Sequence, residues 1–520
     1  MTLASALRFG VALPVRYAWN VLPFYLLTTG AAVAGRVPFL AALGVVVGLL
    51  RVDGRLEALV RAADSIEPDQ LDPASPQSLP PELTDALANL ASPTVFAILG
   101  LGVLASVVLF VVLQSVTTAA TLSALHAAFD GRAPLTEGVA GMSRWRTFLG
   151  LTLLRAGVFL VGGGLLALGV GLGAAAGGVA GILVGVVVGG LAFVFLLVVW
   201  LGLSFVGPAV VVDDVGVLGS VRASLGFIRR NPLDFLGYVV VSLGVGLAFA
   251  TAAGLANVVG TPQLVAAGTP LVVGPVLGGF QMALYAGERG DTAVDAATDG
   301  ETAREEWEDP TGATGADSRP SVRERVGVGL GRGWRALGAF VVGHPTANLL
   351  SAVLLAGSVA VGWFLTAPYG VAFDPPGDVA GVFGTIAVGP FLNIAANNWL
   401  VAAGGSYGGL ALGVPTVASV VFNGVLIGAL AGLFDRLAFL ALVAPHGVIE
   451  LPALAVAGGL GLHLGRVGFD GLRGRLSAAD VGDELGRAFE VLVGLAVVFV
   501  VASFIEAFLT PRIAAFVLGG

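Results

Sequence analysis

GVAGILVGVVVGGLAFVFLLVVWLGLSFVGPAVV, residues 178–211, is a continuous apolar run without one charged side chain. A membrane-spanning strand would alternate lipid-facing and lumen-facing residues over about ten positions, and no such alternation occurs here. Roughly 20 apolar residues in a helix cross about 30 Å of hydrocarbon while satisfying every backbone N–H and C=O internally. The stretch therefore predicts a transmembrane helix. Comparable runs at 21–50, 94–127, 147–172, 235–259, 265–288, 346–367, 381–403, 416–434, 448–468 and 487–509 bring the expected spans to eleven. Arg36 and Pro38 interrupt the first run, which reads as a kinked helix or as two shorter pieces. The predicted fold class is all-α, a polytopic transmembrane helical bundle.

Composition agrees. Of 520 residues, 56% are apolar and 12% charged, with a mean hydropathy of +0.94; a soluble protein carries about twice that charged fraction. The 78 glycines suit helices that must approach closely where lipid gives no hydrophobic drive between them. Cysteine is absent, which excludes disulfides, thiolate metal sites and thiol catalysis. Lysine is absent too: arginine supplies all 26 basic residues against 34 acidic ones, a net charge of −8. An Arg-only, acid-rich, Ala/Val/Gly-rich chain is the composition expected of a GC-rich extreme halophile, whose acidic loops stay hydrated in brine. Residues Met1 to Gly10 lack a basic segment followed by a small-residue cleavage site, so no cleaved signal peptide is expected.

Arginine placement sets the expected orientation. With the amino terminus cytoplasmic, 20 of the 26 arginines fall on the inner side, and an odd number of spans places the carboxyl terminus outside. Residues 51–92 then form an external loop with eight acidic groups and three arginines, too small for an enzymatic domain. Residues 289–320 carry nine carboxylates and little apolar content, the pattern of an acidic, solvated cytoplasmic linker. It divides the chain into a six-helix module, 1–288, and a second module, 321–520. The second opens on a capping-box pattern, Ser321-Val322-Arg323-Glu324, and Val326, Leu330, Trp334, Leu337 and Val341 follow at helical spacing opposite four arginines. This reads as an interfacial helix on the inner leaflet, or as a soluble helix packed on the bundle. Val217, Val221, Leu225 and Ile228 opposite Arg222, Arg229 and Arg230 give a second amphipathic segment, either a contact to anionic lipid or a plain connector.

Four motifs stand out in the second module: Asn397-Asn398, Asn423-Gly424, the nonapeptide Pro445-His446-Gly447-Val448-Ile449-Glu450-Leu451-Pro452-Ala453, and Glu506 through Thr510-Pro511. Together they resemble the stage II sporulation protein M family of integral membrane proteins over about residues 323–520. The resemblance implies a helical bundle of about five spans. In endospore-forming bacteria the family member with a known role supports the peptidoglycan hydrolases that remodel the septum; on the halophile reading there is no murein to cut, and that role is not transferred. Residues 1–290 resemble, through Gly207-Pro208-Ala209-Val210-Val211-Val212-Asp213-Asp214 and the stretch from Ser220 to Pro232, a broad group of six-helix membrane domains. Some of these are attached to glycerophosphodiester phosphodiesterases, but no phosphodiesterase domain accompanies the resemblance here.

The candidate functional cluster is His446, Glu450 and Glu506, with Asn397, Asn398 and Asn423 as further intramembrane polar groups. Glu450 is expected at the outer start of one helix and Glu506 near the outer end of the next, so the two carboxylates share a depth. Facing each other, they could trap a cation or a proton with His446 as ligand or relay. In the plainer alternative Glu450 stabilises its helix's amino terminus and Glu506 pairs with Arg436 or Arg512. The asparagines read as hydrogen-bonding links between helices or as a polar path. Gly424, Gly428 and Gly432, like Gly181, Gly185 and Gly189, form small-residue stripes that read as packing seams. No nucleophile motif, phosphate-binding loop or His-rich metal pattern is present, so neither an enzyme, a cofactor nor a dedicated metal site is expected. The expected partners are the lipid bilayer and envelope or membrane proteins, not nucleic acid. The expected function is a non-enzymatic membrane scaffold, with a transporter using the intramembrane polar residues as the alternative.

Overall fold

A computed structural model describes residues 1–64, 81–289, 322–369 and 388–518. Within them every regular element is a helix. Ten helical segments among the described residues are long and apolar enough to cross a membrane. The eleventh expected span, 381–403, is the helix Val388–Gly408, which is less apolar than those ten because Asn393, Asn397, Asn398, Ser406 and several glycines lie within it. The linker beyond Arg289, positions 65–80 of the expected external loop, residues 381–387 and Ser321 lie outside the described residues.

The first half begins with α1 (Leu3–Arg16), opened by a capping box between Thr2 and Ser5. Next is α2 (Ala18–Val52), which Arg36 and Pro38 do not break. Pro38 removes its own bond to the Ala34 carbonyl, and the neighbouring Phe39 N–H donates to Ser106 Oγ at 2.9 Å. Ser106 lies on α5 (Pro93–Phe129), which follows the short α3 (Arg55–Asp64) and α4 (Pro81–Leu90). After α6 (Pro134–Gly141), α7 (Trp145–Ala176) and α8 (Gly178–Gly202) form a hairpin turned by Gly177 and Gly178, at φ +63° and +55°. Most of the hairpin's apolar surface is uncovered by protein, for example Leu160 at 77% exposure, as lipid-facing helices require. Short α9 (Val206–Val212), amphipathic α10 (Val217–Arg230), α11 (Pro232–Val258), α12 (Pro262–Gly268) and α13 (Gly274–Glu288) complete this half.

The second half comprises α14 (Val322–Gly343), α15 (Pro345–Thr366), α16 (Val388–Gly408), α17 (Val414–Leu433), α18 (Arg436–Leu472), α19 (Ala478–Phe504) and α20 (Thr510–Leu518). The Gly424–Gly432 stripe lies at a close approach along its length, and the Gly181–Gly189 stripe only at Gly181. A Cβ on Gly428 would fall 1.9 Å from the Val359 carbonyl oxygen of α15, and one on Gly181 would fall 2.1 Å from the Gly173 carbonyl oxygen of α7.

α14 packs on the bundle through a face that takes only Leu337 from its apolar stripe. Gly333, Leu337 and Phe340 are buried, while Val326, Leu330, Trp334 and Val341 stay exposed. The docking face is rotated because Gly333 lets α14 approach Val493 and Gly494 of α19, leaving the apolar stripe free for lipid. α10 behaves more as a connector. Its Ser224 hydroxyl donates to the Gly202 carbonyl at 2.7 Å and accepts from Phe205 N–H at 3.2 Å, bridging the break between α8 and α9.

The two halves share a core. Leu22, Phe24 and Leu27 of α2 and Ala120 and Ala124 of α5 pack in one cluster with Trp399 and Tyr407 of α16, Leu464 of α18 and Leu485, Phe489 and Leu492 of α19. A Cβ on Gly30 of α2 would overlap the Tyr407–Gly408 backbone at 2.5 Å. Trp19 meets Phe489 edge-on at 5.3 Å, and Arg332 lies over Trp19 while its Nε donates to Glu490 at 2.9 Å. Asn393 Oδ1 accepts from Gln263 N–H at 2.9 Å, a further link between halves.

Candidate functional site

His446 and Glu450 lie well inside α18, not at its start. The sequence places a helix start at 448, but α18 begins at Arg436, where Asp435 accepts from the N–H groups of Leu437 at 2.9 Å and Ala438 at 3.0 Å. The helix then continues through Pro445 and Pro452. Neither proline can donate, so the ladder loses its bonds to the carbonyls of Ala441 and Val448, on either side of His446. Glu450 is therefore not a helix-terminal carboxylate. Gly447, between the prolines, is buried.

Glu506 sits on a π-helical turn, Ile505–Leu509, that joins α19 to α20. Thr510 N–H closes this turn on the Ile505 carbonyl, one residue wider than an α-turn, just before Pro511, which has no N–H to give. The wider turn places Glu506 against α18. His446 Nε2 lies 4.0 Å from Glu506 Oε2, and His446 Nδ1 lies 3.5 Å from the buried Thr510 hydroxyl. Glu450 Oε2 is buried with no hydrogen-bond partner among the described residues. One ligand atom from each of His446, Glu450 and Glu506 lies within 4.8 Å of the other two. Glu506 forms no ion pair with Arg436 or Arg512 among the described residues, so the plainer pairing expected for it is absent.

One imidazole and two carboxylates from two helices are a donor set for a divalent cation. Metal–ligand distances of about 2.0–2.2 Å would draw the three atoms slightly closer than they stand here. The same arrangement can hold a shared proton, since two carboxylates at membrane depth are costly without a cation or proton between them.

The asparagines do not act as expected. Asn423 Nδ2 donates to the Ser419 carbonyl of its own helix at 2.8 Å, and Asn397 Nδ2 to the Asn398 side chain at 3.3 Å. Among the described residues neither bond crosses to another helix. The links between helices come from residues the sequence did not single out. Trp399 Nε1 donates to the Leu492 carbonyl, Tyr407 Oη to Leu485, both at 2.9 Å, and Ser406 Oγ to Ala457, also at 2.9 Å. Gly424 lies against Ser358 of α15, in the seam.

A second polar group also escaped the sequence reading. His463 Nε2 lies 3.0 Å from Glu484 Oε2, and the His344 ring stands edge-on to His463 at 4.3 Å. Counting outward from the turn between α18 and α19 would have brought His463 and Glu484 together; His344 arrives from a different helix pair. In the first half, Asp213 of the motif after Gly207 accepts from Tyr285 Oη at 2.5 Å and Arg289 at 2.6 Å, while Asp214, at φ +50°, pairs with Arg144 at 3.1 Å. That motif joins elements and forms no catalytic constellation.

Ten apolar helices around a largely apolar core define a multi-pass membrane protein. Residues 24–288, just over half of its length, match the model of a domain of unknown function, DUF7847, and the chain belongs to that family. Residues 350–511 match the model of stage II sporulation protein M, a membrane protein family. That match covers the paired asparagines, Asn423-Gly424, the nonapeptide and Glu506 through Pro511, and it leaves α14 outside. The likeness of the first half to the membrane domains of glycerophosphodiester phosphodiesterases finds no support. No curated protein and no solved structure matches the chain.

Proposed function

We propose that this protein is a non-enzymatic membrane scaffold or assembly factor for envelope-associated partners, with its amino terminus cytoplasmic and its carboxyl terminus external. The observation that carries this reading is the core shared by both halves. Carriers that work by alternating access rock one bundle against another around a central site. Here such rocking would have to separate Trp399, Tyr407 and Phe489 from Leu22, Phe24 and Trp19, breaking close packing that supports a rigid platform. Partners in the bilayer are expected to meet the uncovered apolar faces, such as the α7–α8 hairpin, and nucleic acid is not among them.

Purification from native membranes without crosslinking tests the proposal. Stoichiometric envelope proteins should co-elute with the tagged chain. Recovery of the chain alone, with cation flux in reconstituted vesicles, would instead establish the transporter reading. That second reading has one specific observation behind it, the convergence of His446, Glu450 and Glu506. For orientation, single cysteines introduced at 55–61 should react with a membrane-impermeant label in intact cells, and those at 291–320 only after lysis. The reverse pattern would invert the topology.

A further inference from the structure

Arg155 lies in the first half of α7, inside the apolar run 147–172, where a charged side chain is expensive unless something compensates it. Its Nη2 donates to the Leu203 carbonyl at 3.2 Å, and among the described residues no carboxylate lies within ion-pair distance. The remaining N–H groups of a guanidinium fork are left for another acceptor.

Two cavities meet at this residue. One, of about 440 Å³, is lined by Arg155 with polar groups from three other helices and the α8–α9 break, among them Tyr25, Gln114, Thr118, Ser204 and Gln281. Several of its hydroxyls are already spent as donors: Tyr25 Oη to Gly274 at 3.0 Å, Thr118 Oγ1 to Gln114 at 2.7 Å and Thr152 Oγ1 to Phe148 at 2.9 Å, all carbonyls. Their oxygens can only accept, so they suit a ligand that carries hydroxyl groups. The other cavity, of about 250 Å³, shares Arg155, Ser204 and Gln281, adds Tyr238, and is otherwise walled by apolar side chains such as Val158, Phe159, Leu196, Val199 and Trp200. Phe159 and Trp200 are 56% and 53% exposed, so this wall continues onto the lipid-facing surface of the α7–α8 hairpin. A cation thus sits at the junction of a polar chamber and an apolar groove.

The geometry points to a phospholipid site in which Arg155 takes the phosphate, the polar chamber takes a hydroxylated headgroup such as glycerol, and the groove takes the acyl chains. Guanidinium recognises a phosphodiester through parallel charge-assisted hydrogen bonds, and the groove distinguishes a lipid from a free phosphate ester. The inference does not depend on the scaffold reading or on the His446 cluster.

The test uses the full-length protein in a neutral detergent with short-chain ligands added. Dioctanoyl phosphatidylglycerol should bind at least about tenfold more tightly than dioctanoylglycerol, which lacks the phosphate, and than glycerol 1-phosphate, which lacks the chains. Arg155→Gln should lose about tenfold or more of the phosphatidylglycerol affinity, and Arg155→Lys less. Phe159→Ala removes part of the groove wall on the lipid-facing side, leaves Arg155 in place, and should weaken the lipid about tenfold while leaving glycerol 1-phosphate unchanged. Equal binding of phosphatidylglycerol and dioctanoylglycerol by the wild type would overturn the site, as would an Arg155→Gln protein with wild-type affinity. If Arg155→Gln does not fold, undiminished lipid binding by Phe159→Ala overturns it. Glycerol 1-phosphate binding as tightly as the lipid would overturn the lipid assignment.

Discussion

Glu450 has a buried oxygen without a partner and a second carboxylate, Glu506, close by. Replacing an uncompensated charge by its neutral isostere removes a desolvation cost and keeps the shape, whereas truncation opens a cavity. Glu450→Gln is therefore expected to leave thermal stability within about 1 kcal/mol of wild type, and Glu450→Ala to lose about 1–3 kcal/mol. A divalent cation should raise the melting temperature of the wild type and not that of Glu450→Gln/Glu506→Gln, with the single variants strongly non-additive. Equal shifts in all four proteins would remove cation binding from the cluster. His344, outside the spans, gives a pH prediction. Burial first, and then the neighbouring His463, hold its imidazole below the ordinary histidine range, against weaker opposing effects of a backbone hydrogen bond at Phe340 and of Glu484, with Arg487 adding to the lowering. The folded state thus favours the neutral ring. Its contribution to stability is present above the unfolded histidine value of about 6.5 and is lost as pH falls below it. Melting temperature should fall from pH 7.5 to pH 5.5 less steeply in His344→Asn than in wild type; parallel profiles would show that the ring is not the titrating group.

At the level of elements, the seams rest on missing side chains. α17 lies so close to α15 that Gly428 and Gly362 each face a carbonyl oxygen of the other helix, at 1.9 and 2.1 Å from where a Cβ would sit. Gly428→Ala must push the helices apart and should cost about 1–3 kcal/mol. Gly185 offers an internal control, because its nearest neighbour would be 3.9 Å from a Cβ. Gly185→Ala should be neutral or slightly stabilising, since alanine favours helix. Comparable losses at both positions, measured by thermal unfolding in detergent, would contradict the seam as drawn. α14 shows another balance: its Arg332–Glu490 pair is half open to solvent and contributes little, while buried Leu337 and Phe340 hold the helix down.

For the whole molecule, the shared core makes the halves mutually dependent. Trp399, Tyr407 and Phe489 on one side and Phe24 and Leu27 on the other would lose their partners if either half were made alone. A chain cut near Gly300 should give two fragments that co-purify when expressed together and that are individually degraded or aggregated. Two stable fragments that do not associate would mean that each half is a self-sufficient bundle.

Length and hydropathy alone determined the fold class, because a membrane offers few ways to satisfy a backbone: runs such as 178–211 must be helices. The family motifs, the glycine seams and the convergence of Glu450 with Glu506 were legible for related reasons, as helix direction and periodicity fix depth and face. Tertiary structure decided what those rules leave free. Rotation of α14 depended on Gly333 meeting Gly494, a contact between residues more than a hundred positions apart. The start of α18 at Arg436, twelve residues before the expected 448, depended on Asp435 capping the helix and on the helix continuing through Pro445. Arg155 counts among the inner-side arginines by sequence, and only the fold gave it two cavities and, among the described residues, no carboxylate partner. Each of these turns on which partner a residue meets across space, and hydropathy, which measures one residue against solvent, carries no information about that.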